Sequence, residues 1–236
     1  MTEQEIWDAL EMEEDLYWLY WKQKLSPEQI DKAFEIGKHL GELYKFQKLS
    51  PKQIDKALEM EEGLGSLYEY HVLSPEQISK ALDREEYLDQ LYRYQTLSSE
   101  QIDKALEKKA YFHQLYQHQT LSPEQIDRAL EIEEYLFSLY EFQKLSPKQI
   151  DKALEIEKHL EWLYEYQTLS PEQVDKALKA GKHLDYLYKF QAIPFELRRK
   201  QLPEVYQNKE YRTEITTTNL EDFLIRLKKY IRNKGE

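Results

Sequence analysis

Leu121-Ser122-Pro123-Glu124-Gln125-Ile126-Asp127-Arg128-Ala129-Leu130 decides how this chain folds. Ser122 is a strong N-cap, Pro123 takes the first helical position, and Glu124 complements the positive end of the helix dipole. Gln125 stands three residues after the cap, so Ser122 and Gln125 form a capping box, with Leu121 and Ile126 as its hydrophobic staple. These features mark a helix start. Ile126, Ala129 and Leu130 share one face at i, i+3, i+4, while Asp127, Arg128 and Glu131 lie opposite. Ile132, Leu136, Leu139, Tyr140 and Gln143 then follow at i, i+4, i+7, i+8, i+11, which reads as one face of a second helix. Glu131 to Glu134 carries no strong breaker, but Gly37, Gly63 and Gly181 fall at that joint in other copies and mark a bend. The expected unit is a short helix, a tight turn and a longer helix.

Close copies of this opening recur at Leu25, Leu49, Leu73, Leu97, Leu145 and Leu169, in register with Leu121 at a spacing of 24 residues. A degenerate copy, Met1-Thr2-Glu3-Gln4-Glu5-Ile6, occupies the same slots, so eight copies fill residues 1–192. A helix pair this small cannot close a core by itself, and neighbouring copies must bury one another's stripes. The fold class expected is all-α, an α-solenoid (superhelix) of eight helix–turn–helix repeats. At roughly 8–10 Å between neighbouring helices, the arc would be about 65–80 Å long. After Gln191 the period fails. A short helix over Phe195–Leu202, a weakly alternating stretch from Tyr211 to Thr217 and a final helix capped by Asn219 are expected. That last helix would align Leu220, Phe223, Leu224, Leu227, Tyr230 and Ile231. Residues 193–236 read as a C-terminal cap over the last repeat, with a partner-binding or membrane-surface helix as the alternative.

Composition removes several function classes. The 236 residues hold 33 Lys+Arg and 45 Asp+Glu, a net charge of −12. Residues 193–236 contain ten Lys+Arg and seven Asp+Glu, so the tail carries +3 and the repeats −15. An acidic array is a poor direct ligand for nucleic acid, which needs basic groups against its phosphates. The absence of Cys excludes disulfides, thiolate metal sites and cysteine catalysis. No stretch has the roughly 20 apolar residues of a membrane span. Met1–Glu5 lacks the basic start and apolar run of a signal peptide, and a cytoplasmic location is expected. With 19 Tyr and 13% aromatic residues, the chain has ample surface to bury.

Strict slots point to packing and variable slots to recognition. Leu or Phe fills the slot of Leu136 in every copy, Leu fills that of Leu139, and Tyr fills that of Tyr140. The Tyr row reads as buried rings whose hydroxyls reach backbone or solvent, rather than a stacking platform for bases or sugars. The row of Phe46, Tyr70, Tyr94, His118, Phe142, Tyr166 and Phe190 is read as packing too. One varied slot holds Trp18, Glu42, Ser66, Gln90, Gln114, Ser138, Trp162 and Tyr186. Another, one helical turn earlier, holds Glu14, Lys38, Glu62, Glu86, Ala110, Glu134, Lys158 and Lys182. A partner lying along the second helices would meet both rows. The candidate partner-binding residues are therefore Trp18, Glu42, Glu62, Glu86, Glu134, Trp162 and Tyr186, with an ordinary solvent face as the competing reading.

Catalytic signatures are missing. There is no G-x-S-x-G, no phosphate-cradling glycine loop and no H-E-x-x-H, and capping explains the repeated serines. Glu35/His39 and Glu155/His159 have i, i+4 spacing but lack further ligands, so no metal and no cofactor are expected. The repeated carboxylates, Asp31, Asp55, Asp103, Asp127, Asp151 and Asp175, with Glu11, Glu35, Glu59, Glu107, Glu131 and Glu155 one turn on, can imitate rows of phosphates. Adjacent Lys32, Lys56, Lys104, Arg128, Lys152 and Lys176 dilute that field, and solubility accounts for it too.

The 24-residue period headed by Leu-Ser-Pro-Glu-Gln-Ile-Asp-Lys-Ala-Leu resembles the leucine-rich-repeat-variant and related HEAT-like helical repeats of bacteria and their phages. The likeness covers residues 1–192. It implies a right-handed superhelix of paired helices and a binding rather than catalytic role. Leu-Tyr-x-Tyr/Phe-Gln replaces the family's usual Val-Arg-containing segment, and the cluster-binding cysteines of one family member have no counterpart. The resulting expectation is a non-catalytic protein-binding scaffold with an unidentified protein partner, a host or defence protein that it inhibits. A nucleic-acid mimic is the alternative, and a small-ligand sponge a third.

Overall fold

A computed structural model describes residues 1–60, 62–194 and 197. Apart from Leu197, the elements expected after Pro194 lie outside the described residues. Sixteen α-helices and no strand occur among those residues. The first helices of the eight repeats are α1 (Glu3–Met12), α3 (Pro27–Ile36), α5 (Pro51–Glu59), α7 (Pro75–Arg84), α9 (Ser99–Lys108), α11 (Pro123–Ile132), α13 (Pro147–Ile156) and α15 (Pro171–Ala180). The second helices are α2 (Leu16–Lys22), α4 (Leu40–Phe46), α6 (Leu64–Tyr70), α8 (Leu88–Tyr94), α10 (Phe112–His118), α12 (Leu136–Phe142), α14 (Leu160–Tyr166) and α16 (Leu184–Phe190).

The capping chemistry forms as expected. Ser26 Oγ accepts from the Gln29 backbone N–H at 3.3 Å, while Gln29 Oε1 accepts from the Ser26 backbone N–H at 2.9 Å. The same box closes even the degenerate first copy, between Thr2 and Glu5. The lengths are reversed from the expected order. In repeat six the first helix spans ten residues and the second seven, because Ile132 ends α11 rather than opening α12. The break is conformational, not compositional. Two residues in left-handed backbone flank a single residue at the joint, as in Glu133 (φ 59°) and Tyr135 (φ 51°) around Glu134. The first ends α11 by donating its N–H to Ala129, and the carbonyl of the second starts α12 by accepting from Leu139. Such backbone costs a non-glycine residue on the order of 1–2 kcal/mol. Glycine relieves it at Gly37, Gly63 and Gly181. At Gly63 a further constraint applies, since a Cβ there would lie 2.6 Å from the Gly41 backbone nitrogen.

The contacts divide the chain into two compact units, Met1–Arg128 and Ala129–Glu236. In the first unit α2, α4, α6, α8 and α10 pack successively, and α1 packs on α3 and α7 on both α5 and α9. In the second unit α12, α14 and α16 pack successively, and α13 packs on α15. Each unit is thus a repeated helical array in which like helices are neighbours. Leu and Tyr of the strict slots form its interior: Leu43, Tyr44, Leu67, Tyr68, Leu163 and Tyr164 are fully buried. Leu184 is only half-buried, unlike its equivalents from Leu16 to Leu160.

Two glutamine rows stitch the repeats together. Gln95 is buried, accepts from the Leu73 backbone N–H at 3.0 Å, and donates to the carbonyls of Tyr68 and His71 in the preceding copy. It therefore satisfies the open carbonyl end of α6 and a loop N–H together. Gln47 and Gln119 in the first unit, and Gln167 and Gln191 in the second, repeat the arrangement. The capping-box glutamines form the second row. Gln77 Nε2 donates to the Pro51 carbonyl at 3.1 Å and to Asp55 at 3.2 Å, and Gln173 Nε2 donates to the Pro147 carbonyl at 2.7 Å. In repeat three His71 takes the clamp position and makes one contact, Nε2 to the Tyr44 carbonyl at 2.8 Å.

Candidate functional site

Outward residues of the second helices and the joints carry most of the exposed aromatic surface. In the first unit Tyr17, Trp18 and Trp21 stand together on α2, and Trp18 is 45% exposed. Tyr87 and Tyr111 project from their joints. In the second unit Tyr135, Phe137 and Trp162 form a run of neighbouring rings, with centroids 5.9 Å apart for the first pair and 5.6 Å for the second. Trp162 stacks on Tyr166 at 5.6 Å. Tyr186 stacks on Phe190 at 6.0 Å.

The sequence candidates divide between the two units and between two structural settings. Trp18 and Glu42 lie on α2 and α4 in the first unit, and Trp162 and Tyr186 lie on α14 and α16 in the second. Glu62, Glu86 and Glu134 do not lie on second helices. Their slot is the joint itself, because each second helix starts two residues later, and Glu86 and Glu134 each stand between two left-handed residues. Glu86 is held by Arg84 at 3.4 Å, and Glu42 lies 4.0 Å from His39 Nδ1. Glu62 and Glu134 are exposed. Ser138, in the same slot as Trp162, is buried, so that position does not face outward in every copy.

Other expectations change with the geometry. The aromatic row read as packing is a surface row: Tyr70, Tyr94, Phe142 and Tyr166 are all exposed. Four of its rings receive cations from the residue before them or from a neighbouring repeat. Lys45 lies over Phe46 at 5.3 Å and Tyr70 at 5.6 Å, Arg93 over Tyr94 at 5.3 Å and Lys189 over Phe190 at 4.5 Å. Sequence reading missed this row, although its Lys/Arg neighbours were a visible signal. The buried Tyr row also differs, because its hydroxyls do not reach backbone or solvent. Those of Tyr20, Tyr44, Tyr68, Tyr92, Tyr140 and Tyr164 are buried without a hydrogen-bond partner. Burial pushes their pKa values up, to about 12 for Tyr20, Tyr68 and Tyr164.

The pairs Glu35/His39 and Glu155/His159 are not on continuous helix, since α3 ends at Ile36 and α13 at Ile156. His159 Nδ1 instead sits 4.0 Å from Glu161. Among the described residues no group of three or more His, Cys, Asp or Glu is placed to hold a metal ion. None of their helices is long and apolar enough to cross a membrane. The Asp row is largely committed to neighbouring repeats, and the Glu row in part. Asp55 receives Gln77 and Lys80, Asp103 receives Gln125 and Arg128, and Asp151 receives Lys176 at 2.6 Å. Glu131 and Glu133 pair with Lys152 and Lys158 at 3.0 and 2.8 Å.

One cleft, of about 220 Å³, opens in the second unit between α13 and α15. Leu154 and Tyr164 line it, with Ala180 on the far wall. Leu154 is half-exposed, whereas Leu58, Leu82, Leu106 and Leu130 in the same slot are buried. Ala180 explains the difference. Its slot holds Ile, Met, Arg or Lys in the other copies, long enough to reach the preceding repeat, as Arg84 does in bonding the Leu58 carbonyl.

Compared with protein-family models, with curated proteins and with solved structures, the chain matches none.

Proposed function

We propose that this protein is a non-catalytic protein-binding scaffold, its repeats stacked as an α-solenoid capped by residues 193–236. The observation that carries the reading is the contrast between a self-satisfied array and an outward aromatic surface. Gln and Asp side chains are spent on joining repeats, whereas Trp18, Trp21 and Tyr186 are each more than a third exposed. Exposed Trp and Tyr are costly to leave in water and are the commonest anchors of protein interfaces. Trp18 and Tyr186, with the half-buried Trp162, are the anchors assigned to this role. The carboxylates already engaged between repeats leave a nucleic-acid mimic with a weaker charge pattern than the sequence implies.

The test is selection of binders from a random peptide display library on the immobilised full chain, followed by affinity measurement against Trp18→Ala and Trp162→Ala variants. At least one variant should lose tenfold or more in affinity for a selected peptide while keeping its melting temperature. Retained affinity in both variants would move recognition off the second-helix surface. Competition by duplex DNA for a DNA-binding protein, abolished by moderate salt, would favour mimicry instead.

A further inference from the structure

The surface aromatic row is built differently in its two charge settings. Where Lys45, Arg93 or Lys189 precedes a ring, the chain places its own cation over an aromatic face. In repeats six and seven the preceding residues are Glu141 and Glu165. Among the described residues neither of these carboxylates is engaged in an ion pair. Burial first, then the charges of Glu141 and Glu165, push the pKa of the Tyr166 hydroxyl up, so both carboxylates act on the same ring. Tyr166 is itself stacked on Trp162, which extends the aromatic surface to Phe137. Lys158 is paired with Glu133 at 2.8 Å and Lys182 with Glu157.

We propose that the α12–α14 surface of the second unit binds a Lys- or Arg-bearing segment of a partner protein, its cations seated on the Trp162 and Tyr166 rings and against Glu141 and Glu165. This rests on the protein-binding reading and specifies the partner's chemistry. Charge complementarity decides the occupant: the row's own pattern is a ring with a cation, and here the Trp162 and Tyr166 rings and the Glu141 and Glu165 carboxylates stand without one. A cation on aromatic faces gains from the ring quadrupole, and adjacent carboxylates add direct attraction. Neighbouring helices lie on the order of 8–10 Å apart. A polyproline II peptide rises about 3.1 Å per residue with three residues per turn, so cations three residues apart share one face and match that interval.

The probe is the synthetic peptide Lys-Ser-Ser-Lys-Ser-Ser-Lys, with Gln-for-Lys and Glu-for-Lys counterparts, added to the full chain and followed through the Trp162 indole N–H resonance. The Lys peptide should shift that resonance saturably and the counterparts should not. The Glu141→Gln/Glu165→Gln double variant should melt with the parent and bind at least tenfold more weakly. Equal binding by the double variant, no saturable shift with the Lys peptide, or a response confined to Trp18 and Trp21, would overturn the proposal. A display selection separates this failure from that of the underlying reading. Cation-free selected peptides that perturb Trp162 overturn the basic-segment assignment and leave protein binding intact. Absence of any selected peptide on either unit overturns both.

Discussion

The seams between repeats and the outer face of the second helices use the same 24-residue unit in opposite ways. At the seams the residue type barely changes from copy to copy, and the reason is hydrogen-bond accounting. Gln95 must offer one acceptor and two donors to three backbone groups that have no water to turn to. On the outer face the slot carries no repeated hydrogen-bond duty, and it runs from Trp162 to Glu42 to Ser66. Repetition within one chain therefore marks obligation, and variation marks freedom.

Breaking a seam should have the largest effect. Gln95→Ala strips the partners from the Tyr68 and His71 carbonyls and the Leu73 N–H together. At roughly 1–3 kcal/mol for each buried polar group left unsatisfied, a loss of about 3 kcal/mol or more is expected in urea unfolding. Glu165→Gln on the outer face should stay within about 0.5 kcal/mol in the same assay.

Alkaline pH probes the seams from within. The buried phenols have folded-state pKa values above their ordinary value of 10, reaching about 12 at Tyr68 and Tyr164. Their contribution to stability is whole below pH 10 and is lost as pH rises through the folded-state values. Unfolding should accelerate steeply above pH 10, with tyrosinate absorbance rising together with loss of helical circular dichroism. Tyr44→Phe removes a buried hydroxyl that has no partner and should cost nothing, or stabilise by up to about 1 kcal/mol at neutral pH.

The weakest clamp offers a smaller, opposite change. His71 makes one contact where glutamine makes three, and burial lowers its pKa below 6.5 against the partial opposition of its bond to the Tyr44 carbonyl. A group with a lowered folded-state pKa stabilises above the unfolded value and loses that contribution as pH falls. His71→Gln should raise stability by about 1 kcal/mol at neutral pH and flatten the decline below pH 6.5, both read from thermal melts. Ala180→Ile is expected to have a similar or smaller benefit, about 1 kcal/mol, by filling the cleft beside Leu154.

Much of this was legible in the linear sequence. Leu-Ser-Pro-Glu-Gln-Ile or a close copy of it, seven times in register, specifies helix starts because a cap, a proline and a staple are local devices acting within a few residues. The buried Leu and Tyr rows followed from helical periodicity. The joint was placed slightly too early because Glu133 and Tyr135 are ordinary residues forced into left-handed backbone, and only Gly37, Gly63 and Gly181 in other copies announced it. Similarly, Glu62, Glu86 and Glu134 were assigned to a helix that begins two residues after them. Trp162 was identified as an anchor, but its company was not: Tyr166 stands one turn on along the same helix, whereas Phe137 becomes a neighbour only when α12 and α14 pack.

By itself, then, the sequence determined the repeat, its two helices and which stripe is buried, all of which depend on short-range spacing and capping. The tertiary structure decided what the polar side chains do. Gln77 reaches 26 residues back to Pro51, and Lys176 reaches 25 back to Asp151. Stacking one repeat on the next turns a sequence separation near the repeat length into hydrogen-bonding distance. Spacing within a single copy cannot contain that information, so only packing distinguishes a carboxylate spent on a seam from one left facing outward.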